Sequence, residues 1–440
     1  MYRKAMEELA AWKDSPTRKP LLLEGARQVG KTWLALELGR TGFTETAHVD
    51  FLDNQPMQAL FAGSLETERL LTGIAAATGK RAGDEDVLIV LDEIQECPRA
   101  LTSLKIFCER RPDVPIIAAG SLLGVAMHAG TSFPVGKVDF LRLFPLTFDE
   151  FLLACGKTSL CDLLASQDAS LMDAFAESFT DELRRYYFVG GMPEAVSSFV
   201  STGELAAART VHETLISGYE RDFSKHAGGV LAERIRDVWQ SAPAQLAREN
   251  RKFVYSAVRP GARARGYEEA IRWLVDAGLM LRVERVSKPG LPLSAYADRS
   301  SFKLFLLDVG LLGALSRLAP EVIIDGNRLF TEFKGVYAEQ FVLQQFAASP
   351  IGVPRYWSAA NSSGEVDFLF DCNGKVVPVE VKAETNLKSK SLSSFARQFG
   401  IDRSLRLSLA GWADQGWVVN VPLFAANLLP DDLPEGFSGV

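Results

Sequence analysis

The amino-acid sequence predicts an α/β protein in which residues 1–150 form a parallel sheet covered by helices. Two observations indicate this fold class. Short apolar runs alternate with helical patterns along residues 20–119, and such alternation is typical of a doubly wound parallel sheet. One of these runs, residues 87–91, is apolar at every position, which indicates a strand that is buried on both faces.

The elements of this first region follow in a regular order. The first strand, residues 20–25, ends at a glycine, and a helix follows at residues 31–38. Three further strands are predicted at residues 46–51, 87–91 and 114–119. From about residue 149 to residue 226 the pattern becomes helical, with no clear strand.

The next segment, residues 230–300, combines helices with a strand. Residues 267–278 form an amphipathic helix that ends at Gly278, and residues 279–286 have the pattern of a strand. Helices followed by a β-ribbon are typical of a winged-helix module. Residues 301–440 mix helices and strands, so we expect a second α/β domain there.

The composition excludes several classes of protein. Hydrophobic residues make up 47% and charged residues 23% of the 440 residues, which is typical of globular domains and excludes wholesale disorder. No apolar run is long enough for a spanning helix, and the first residues lack the apolar stretch of a secretory signal. Five scattered cysteines and four histidines favour reduced thiols and no zinc site. We therefore expect a cytoplasmic protein without a membrane partner.

A phosphate-binding motif follows the first strand. The segment GARQVGKT matches the P-loop pattern GxxxxGK[ST], in which backbone N–H groups and a helix N-terminus surround phosphates. The pattern predicts that Lys31 reaches the β- and γ-phosphates and that Thr32 holds Mg²⁺. The expected nucleotide-binding residues are Gly25, Ala26, Arg27, Gln28, Val29, Gly30, Lys31 and Thr32.

A second motif ends the buried strand at residues 87–91. The strand is followed by Asp92 and Glu93, which places one carboxylate toward a metal ion and leaves the other to activate or orient the attacking water. Together with the P-loop, this pair predicts ATP hydrolysis, with Glu93, Lys31 and Asp92 as the catalytic residues. Ser121 ends the next strand, where it could either sense the γ-phosphate or form an ordinary turn.

These motifs give the sequence a family resemblance. GARQVGKT, LDEIQECP, AAGS and PLTFDEF resemble the AAA+-type ATPases of bacteria and archaea that carry a C-terminal domain of formerly unknown function. The resemblance extends through GGMPEAV, YERD, FKLFLLDVGLL and GVYAEQF, and so covers nearly the whole chain. It implies an AAA+ core, a helical lid and assembly into an oligomer or hexameric ring.

One departure from the family pattern concerns a possible arginine finger. Members often carry a Gly-Arg step before the PLTFDEF-like motif, whereas this chain has lysine at position 137. Lysine cannot make arginine's bidentate contact with a phosphate. Arg110, Arg111 and Arg142 are the alternatives for an arginine finger, and the sequence does not rank them.

The chain is acidic overall but has one basic segment. The net charge of −7 argues against a protein that coats nucleic acid, yet residues 231–303 hold 14 Lys and Arg against 8 Asp and Glu. The arginines lie among aromatic residues, a pattern that fits either a solvated basic surface or a polyanion site. The family resemblance favours DNA, and the expected contacts are Arg251, Lys252, Arg259, Arg263 and Arg265.

A carboxylate pair stands out near the C-terminus. Two strand-like runs, residues 366–370 and 376–382, flank Asn-Gly at 373–374, the strongest short hairpin signal. If Asn-Gly is a two-residue loop, Asp367 lies opposite Glu380 and Glu365 lies opposite Lys382, all on one face. Facing carboxylates repel each other. A divalent cation between Asp367 and Glu380 would remove this conflict.

The hairpin resembles the PD-(D/E)xK nuclease core. Asp367, Glu380 and Lys382 fit the motif, and Glu339 on the preceding helix takes the place of the first acidic residue. The alternatives are a solvated hairpin face and a nuclease fold that binds DNA without cleaving it. Proline at position 378 is compatible with an edge strand but is unsuited to the centre of a sheet.

Four domains are expected from these patterns and from the resemblance. They are an AAA+ ATPase domain at 1–150, a helical lid at 151–229, a winged-helix-like DNA-binding module at 230–300 and a nuclease-like domain at 301–440. The expected function is a DNA-dependent ATPase that uses ATP and Mg²⁺ to translocate on duplex, forked or branched DNA or to remodel it, in repair or defence. An ATP-gated nuclease and a nucleotide-dependent signalling switch with a protein-binding C-terminal domain are the alternatives.

Overall fold

The structure is a computed structural model of the chain. It describes residues 1–120, 135–320, 322, 331–359, 364–385 and 387–429. The chain divides into two compact units, one formed by Met1–Phe144 with Asp276–Gly278 and the other by Pro145–Val275 with Leu279–Val440. The first unit thus ends at Phe144, before the boundary expected at residue 150.

The first unit is a parallel sheet with helices, as the alternating pattern predicted. Its helices are α1 (Ala5–Asp14), α2 (Lys31–Gly42), α3 (Gln55–Ala62), α4 (Thr67–Thr78) and α5 (Pro98–Arg110). Its strands are β1 (Leu21–Glu24), β2 (Glu45–Asp50), β3 (Val87–Asp92), β4 (Ile116–Ala119) and β5 (Asp139–Arg142), in the order β2-β3-β4-β1-β5. Each neighbouring pair is parallel.

Burial explains why these segments form this sheet. Every residue of β3 is buried, so the apolar run is covered on both faces. Helix α4 shows how a covering helix is made, because Leu70 and Ile74 lie buried on one face. Its first turn is capped by the carboxylate of Glu66, and it ends at Gly79 with a left-handed φ of 69°. This packing fixes the ends of β1 and β3, where the P-loop and the pair Asp92 and Glu93 lie.

The second unit begins with helices. They are α6 (Phe148–Ala154), α7 (Thr158–Ser166), α8 (Ala169–Ala174), α9 (Ala176–Val189), α10 (Pro193–Thr202), α11 (Leu205–His226), α12 (Gly229–Leu246), α13 (Tyr255–Val258), α14 (Ala264–Asp276), α15 (Val309–Leu315), α16 (Thr331–Ala347) and α17 (Lys390–Phe399). Residues 145–226 contain no strand, in agreement with the helical pattern. In the described part of the chain, no helix combines the length and the apolar character needed to cross a membrane.

One mixed sheet runs through the second unit. Its strands are β6 (Met280–Val286), β7 (Ala297–Leu306), β8 (Arg355–Ser358), β9 (Glu365–Cys372), β10 (Lys375–Val381), β11 (Ser404–Ser408), β12 (Ala413–Asp414) and β13 (Val418–Pro422). The order is β12-β13-β11-β10-β9-β8-β6-β7. Strand β7 crosses the boundary expected at residue 300, and β6 pairs with β8. The β-ribbon expected of a winged helix, β6 with β7, therefore forms the edge of the C-terminal sheet. The boundary expected at residue 300 lies within this one sheet.

The β9–β10 hairpin has the register that the Asn-Gly turn predicted. Cys372 pairs with Lys375, and the ladder continues to the pair Phe368 and Val379. Asn373 and Gly374 have φ values of 51° and 73°, which a two-residue type I′ turn requires. Continued by one step beyond this last pair, the register would place Asp367 opposite Glu380, as the spacing predicts.

Pro378 was expected to require an edge strand, and this expectation is wrong. It lies in β10, between β9 and β11, in the middle of the sheet. It faces Leu369 of β9, and the ladder to β11 begins only at Val379. Counted from the turn, Pro378 takes a non-hydrogen-bonded position toward β9, and on its other side no ladder has begun. The missing N–H therefore leaves no bond of the sheet unmade.

A buried carboxylate joins two of the motifs that carry the family resemblance. Asp308 accepts hydrogen bonds from the N–H of Gly191 at 2.6 Å and of Leu311 at 3.0 Å, and from the amide of Gln344 at 2.9 Å. A side chain at Gly191 would place its Cβ 2.2 Å from the carbonyl oxygen of Leu146. GGMPEAV and FKLFLLDVGLL thus have a structural role inside the second unit.

Candidate functional site

The P-loop lies between β1 and α2 and depends on residues with unusual backbone angles. Gly25 has a φ of 152°, Gln28 of 67° and Gly30 of 94°. A Cβ at Gly25 would lie 2.5 Å from the carbonyl oxygen of Leu143, so that position requires glycine. These turns bring the loop to the N-terminus of α2, where unpaired backbone N–H groups bind anions.

An arginine outside the motif anchors the end of this loop. Arg3 is buried and donates hydrogen bonds to the carbonyl oxygens of Val29 at 3.0 Å and Phe144 at 2.6 Å. Sequence reasoning missed Arg3, since it lies far from the motif along the chain and belongs to no pattern. Arg3 thus holds a carbonyl oxygen of the loop, and the backbone N–H groups of the loop stay available for phosphate.

Lys31 lies over the loop, as the motif predicts. Its Nζ donates to the carbonyl oxygens of Gly25 at 3.1 Å and Ala26 at 2.8 Å. Burial lowers the pKa of Lys31 to about 8, although the charges of Glu93 and Asp92 act in the opposite direction. Phosphate oxygens would supply the negative charge that this buried ammonium group lacks.

Asp92 and Thr32, the two expected magnesium ligands of this unit, are in contact. Burial raises the pKa of Asp92, but hydrogen bonds from His48 and Thr32 more than compensate, so that its pKa is lowered overall. The Nε2 of His48 lies 3.6 Å from the carboxylate of Asp92. An ionised carboxylate beside a hydroxyl group is a donor set that fits Mg²⁺. His48 was missed by sequence reasoning, because it is one residue of a strand that carries no motif.

Glu93 follows Asp92 in a left-handed conformation, with φ 49° and ψ 44°. Such a backbone is strained for a residue with a side chain and is found preferentially at functional sites. The carboxylate of Glu93 accepts a hydrogen bond from the side-chain amide of Gln95. This contact fixes the direction of the expected catalytic carboxylate. Ser121 lies outside the described residues.

The possible arginine fingers differ in how they are engaged. Arg111 donates to Glu68 at 2.6 Å and to Asp113 at 2.7 Å, which makes it a structural residue. Lys137 pairs with Glu109 at 3.1 Å. Burial lowers the pKa of Arg142. Arg110 makes no hydrogen bond or ion pair with any part of the chain that the structure describes.

The nuclease-like residues lie in the second unit in two groups, Glu380 with Lys382 and Glu339 with Asp367. A side-chain oxygen of Asp367 accepts the N–H of Val381 at 2.8 Å, and Lys382 lies 2.6 Å from Glu380. The other oxygen of Glu380 is buried and has no hydrogen-bond partner among the described residues. Glu339, on α16, is also buried. The hairpin therefore pairs Glu380 with Lys382, whereas the contact of Asp367 with Glu380 stays a prediction from the spacing.

Two cations that the motif did not predict pair with buried acids of the second unit. Lys303 of β7 is completely buried, with its Nζ 3.5 Å from Glu339 and in an ion pair with Glu365. Arg251 pairs with the same Glu339. Burial opposes the charge of Lys303, but Glu339 and Glu365 raise its pKa above the usual value. We call Arg251, Lys303, Glu339, Glu365 and Asp367 the acidic cluster.

The acidic cluster corrects one expectation. Arg251 was expected to contact DNA, but it is engaged with the buried Glu339. Glu365, which was expected to lie opposite Lys382 in the hairpin, forms an ion pair with Lys303 of β7. In addition, the described residues contain no group of three or more His, Cys, Asp or Glu that could hold a metal ion. A metal site here would depend on Asp367 and Glu380 alone.

The other residues that were expected to contact DNA differ in whether a carboxylate pairs with them. Arg259 lies 3.6 Å from Glu233 and 3.8 Å from Asp237, so its charge is partly offset. Lys252, Arg263 and Arg265 are exposed, and their side chains form no hydrogen bond or ion pair within the described ranges. These three are the residues of the original set whose charges are free for a polyanion.

Comparison with known proteins supports the assignment of the first unit. Residues 17–152 match the family described as an AAA domain. Two domains of unknown function, DUF8612 and DUF4143, match residues 180–322 and 334–417. Uncharacterized proteins of Mycobacterium bovis and Mycobacterium tuberculosis are each 24% identical over 377 residues, which span 85% of this chain and 73% of theirs.

Solved structures give more distant likenesses. A Walker-type ATPase of Pyrococcus abyssi is 15% identical with a TM-score of 0.44, covering 72% of this chain and 95% of that chain. The ORC1 protein of Aeropyrum pernix, solved in complex with DNA, is 14% identical with a TM-score of 0.25, covering 72% and 91%. Both TM-scores are low. The AAA domain match and the geometry of the P-loop, Asp92 and Glu93 lead to the same assignment: the first unit is a P-loop ATPase domain of the AAA type.

Proposed function

We propose that this chain is a DNA-dependent ATPase in which ATP hydrolysis moves DNA-binding parts, for translocation on DNA or for remodelling of forks and junctions. The observation that carries the DNA role is the arrangement of Glu339, Asp367, Glu380 and Lys382, because it resembles a nuclease core. We further propose a homo-oligomer, in the ring arrangement that the resemblance implies, with Arg110 as the arginine offered to a neighbouring site. Repair and defence against foreign DNA are the processes that fit this activity.

The residues of the nucleotide site have separate roles in hydrolysis. Lys31 leaves its two carbonyl partners to bind the phosphates of ATP, since charge-assisted bonds to phosphate are stronger than bonds to neutral carbonyls. Thr32 and Asp92 would hold Mg²⁺, which neutralises phosphate charge when it is bound. Glu93 accepts a proton from, or orients, the attacking water, and Gln95 holds its carboxylate in place.

For the C-terminal domain we propose DNA binding without cleavage. Arg251 and Lys303 form ion pairs with Glu339 and Glu365, so two of the acids already have cationic partners from the protein. A buried acid that is paired in this way gains little from exchanging its partner for a metal ion. This pairing supports a nuclease fold that has been retained for binding.

An ATP-gated, metal-dependent nuclease is the second candidate. The buried oxygen of Glu380 that lacks a partner favours it, because a cation shared with Asp367 would satisfy that oxygen. Lys382 would then lie beside the cation, where it could contact a phosphate.

One experiment separates these proposals. The ATPase rate of the full chain is measured with no DNA and with single-stranded, duplex, forked and four-way DNA, and the DNA is then examined for cleavage. Stimulation by DNA without cleavage supports the proposed function, whereas cleavage that Asp367→Asn abolishes supports the nuclease. A slow rate that no DNA changes would refute both and indicate a nucleotide-dependent switch. Glu93→Gln serves as the control that DNA must fail to stimulate.

A further inference from the structure

A groove rich in arginine lies on the second unit, apart from the acidic cluster. Helix α14, strands β6 and β8 and the start of β7 form a cavity of about 720 Å³. Its charged lining residues are Glu268, Arg272, Arg282, Glu284, Arg299 and Arg355. We call it the arginine groove.

A bulge in β7 builds one wall of the arginine groove. The pairing of β6 with β7 moves from Glu284 with Phe302 to Arg285 with Asp298, which leaves residues 299–301 without a partner on β6. The carboxylate of Asp298 fixes this bulge by accepting from the N–H and the hydroxyl of Ser300, at 3.1 and 2.6 Å. A bulge turns side chains away from their regular direction. Here it exposes Arg299 at the rim of the groove.

Two of the four arginines are neutralised within the groove. Arg282 lies 3.5 Å from Glu268 and 3.8 Å from Glu284, and Arg355 lies 3.6 Å from Glu284. Arg272 and Arg299 are exposed, and neither side chain has a hydrogen bond or ion pair in the described part of the chain. The arginine groove therefore keeps two uncompensated positive charges.

The lining also indicates which part of a nucleic acid would bind. The lining residues, all in the described part of the chain, include no aromatic side chain, and the guanidinium group of Arg282 covers the nearby ring of Phe302 at 4.0 Å. The same Arg282 donates to the backbone carbonyl of Arg299 at 2.5 Å, which fixes the rim. Guanidinium groups bind phosphate through two parallel hydrogen bonds. A rigid groove with free arginines and no stacking surface suits phosphates rather than bases.

We propose that the arginine groove binds the phosphate backbone of DNA, with Arg272 and Arg299 contacting phosphates independently of the sequence. The proposal rests on the proposed DNA-dependent function and assigns it a second contact surface, besides Lys252, Arg263 and Arg265. Binding there is electrostatic and releases counterions, so its affinity falls as salt rises.

The test compares two alanine double variants and one lysine double variant of the full chain by fluorescence anisotropy with duplex DNA over a range of salt concentrations. Arg272→Ala with Arg299→Ala should weaken binding and reduce the slope of log K against log salt by about 1.8, since each duplex phosphate contact contributes about 0.9. Lys390→Ala with Arg397→Ala removes the same charge from exposed positions on α17 and should leave the slope unchanged. Arg272→Lys with Arg299→Lys keeps the charges and should restore most of the slope.

The outcomes separate this proposal from the proposed function. If the unaltered protein binds DNA and the arginine variant keeps its slope, the arginine groove is not a DNA site and the proposal is wrong. If the slope falls equally in both alanine double variants, only general charge is involved, and the proposal is again wrong. Displacement of DNA from the unaltered protein by equimolar inorganic phosphate would indicate a small-anion site instead. Absence of DNA binding by the unaltered protein would refute the proposed function itself.

Discussion

Asp367→Asn tests whether the hairpin carboxylates hold a metal ion. Asparagine keeps an oxygen that can accept the N–H of Val381, now 2.8 Å from the aspartate, so the variant removes a charge with little change in shape. Asp367 repels Glu339 and Glu365, whose pKa values are raised by burial and by its charge, but attracts Arg251 and Lys303. Without metal these effects offset each other, and we expect the variant to be neutral or stabilised by up to about 1 kcal/mol.

With metal bound, the unaltered protein should be more stable than Asp367→Asn. An ion that binds only the folded state adds about 2.7 kcal/mol to the free energy of unfolding when its concentration is about 100 times Kd. If Asp367 and Glu380 share the ion, the unaltered protein gains this stability and the variant loses most of it. The measurement is chemical unfolding of the full chain without nucleotide, in EDTA and in Mg²⁺ or Mn²⁺. Asp92→Asn is the matched control, since it removes a proposed metal ligand of the first unit and should leave this gain intact.

Two results would refute the reasoning about the hairpin. If metal stabilises neither protein, Asp367 and Glu380 share no metal site. If the variant loses several kcal/mol in EDTA, the charge of Asp367 is a structural partner of these cations rather than a repelled carboxylate. Stabilisation by metal without DNA cleavage would indicate a nuclease fold that binds metal but does not cut.

Three further predictions concern other parts of the chain. Lys31→Ala should abolish ATP binding, and Glu93→Gln should bind ATP but hydrolyse it about 10²–10⁴-fold more slowly, as measured by isothermal calorimetry and phosphate release; near-normal turnover would exclude Glu93. Arg263→Ala with Arg265→Ala should lower the salt slope of DNA binding by about 1.8 and leave the ATPase rate without DNA unchanged; an unchanged slope would exclude this loop. Burial lowers the pKa of His212 from 6.5 to about 3, so its stabilising contribution is present above pH 6.5 and is lost as the pH falls toward 3. Between pH 7 and pH 5 this loss is about 2 kcal/mol, and His212→Gln should unfold with a correspondingly weaker pH dependence.

Local patterns predicted the parts of the fold that local chemistry determines. The strand, glycine loop and helix of the P-loop follow each other within a few residues, and the backbone angles of Gly25 and Gly30 agree with their expected role. The hairpin register could be counted from Asn373-Gly374, because a two-residue turn fixes every pair that follows it. By the same count, Asp367 is predicted to lie opposite Glu380, one step beyond the last pair of the ladder.

Contacts between distant segments were not predictable in this way. His48 reaches Asp92 only because β2 lies beside β3 in the sheet, and Arg3 reaches the P-loop only through folding. Pro378 seemed to require an edge strand because the point at which the β11 ladder begins cannot be read from β10. Lys303 showed no signal, since a lysine in a strand usually faces solvent. Its complete burial depends on two carboxylates from other elements.

The cations of the basic segment fall into two groups, those that pair with buried acids and those that are exposed. Only the exposed group is open to a polyanion. Of the excess positive charge in residues 231–303, Arg251 and Lys303 neutralise buried acids and are unavailable to a polyanion. Strand β7 carries both roles, because Arg299 lies in its exposed bulge and Lys303, four residues later, lies inside the acidic cluster. A charge count over the sequence includes both kinds of residue and so overestimates the DNA-binding surface. After the internal pairs are removed, the exposed cations include Lys252, Arg263 and Arg265 as well as the two free arginines of the arginine groove. Under our proposal, each of these two groups would contribute its own part of the salt dependence of DNA binding.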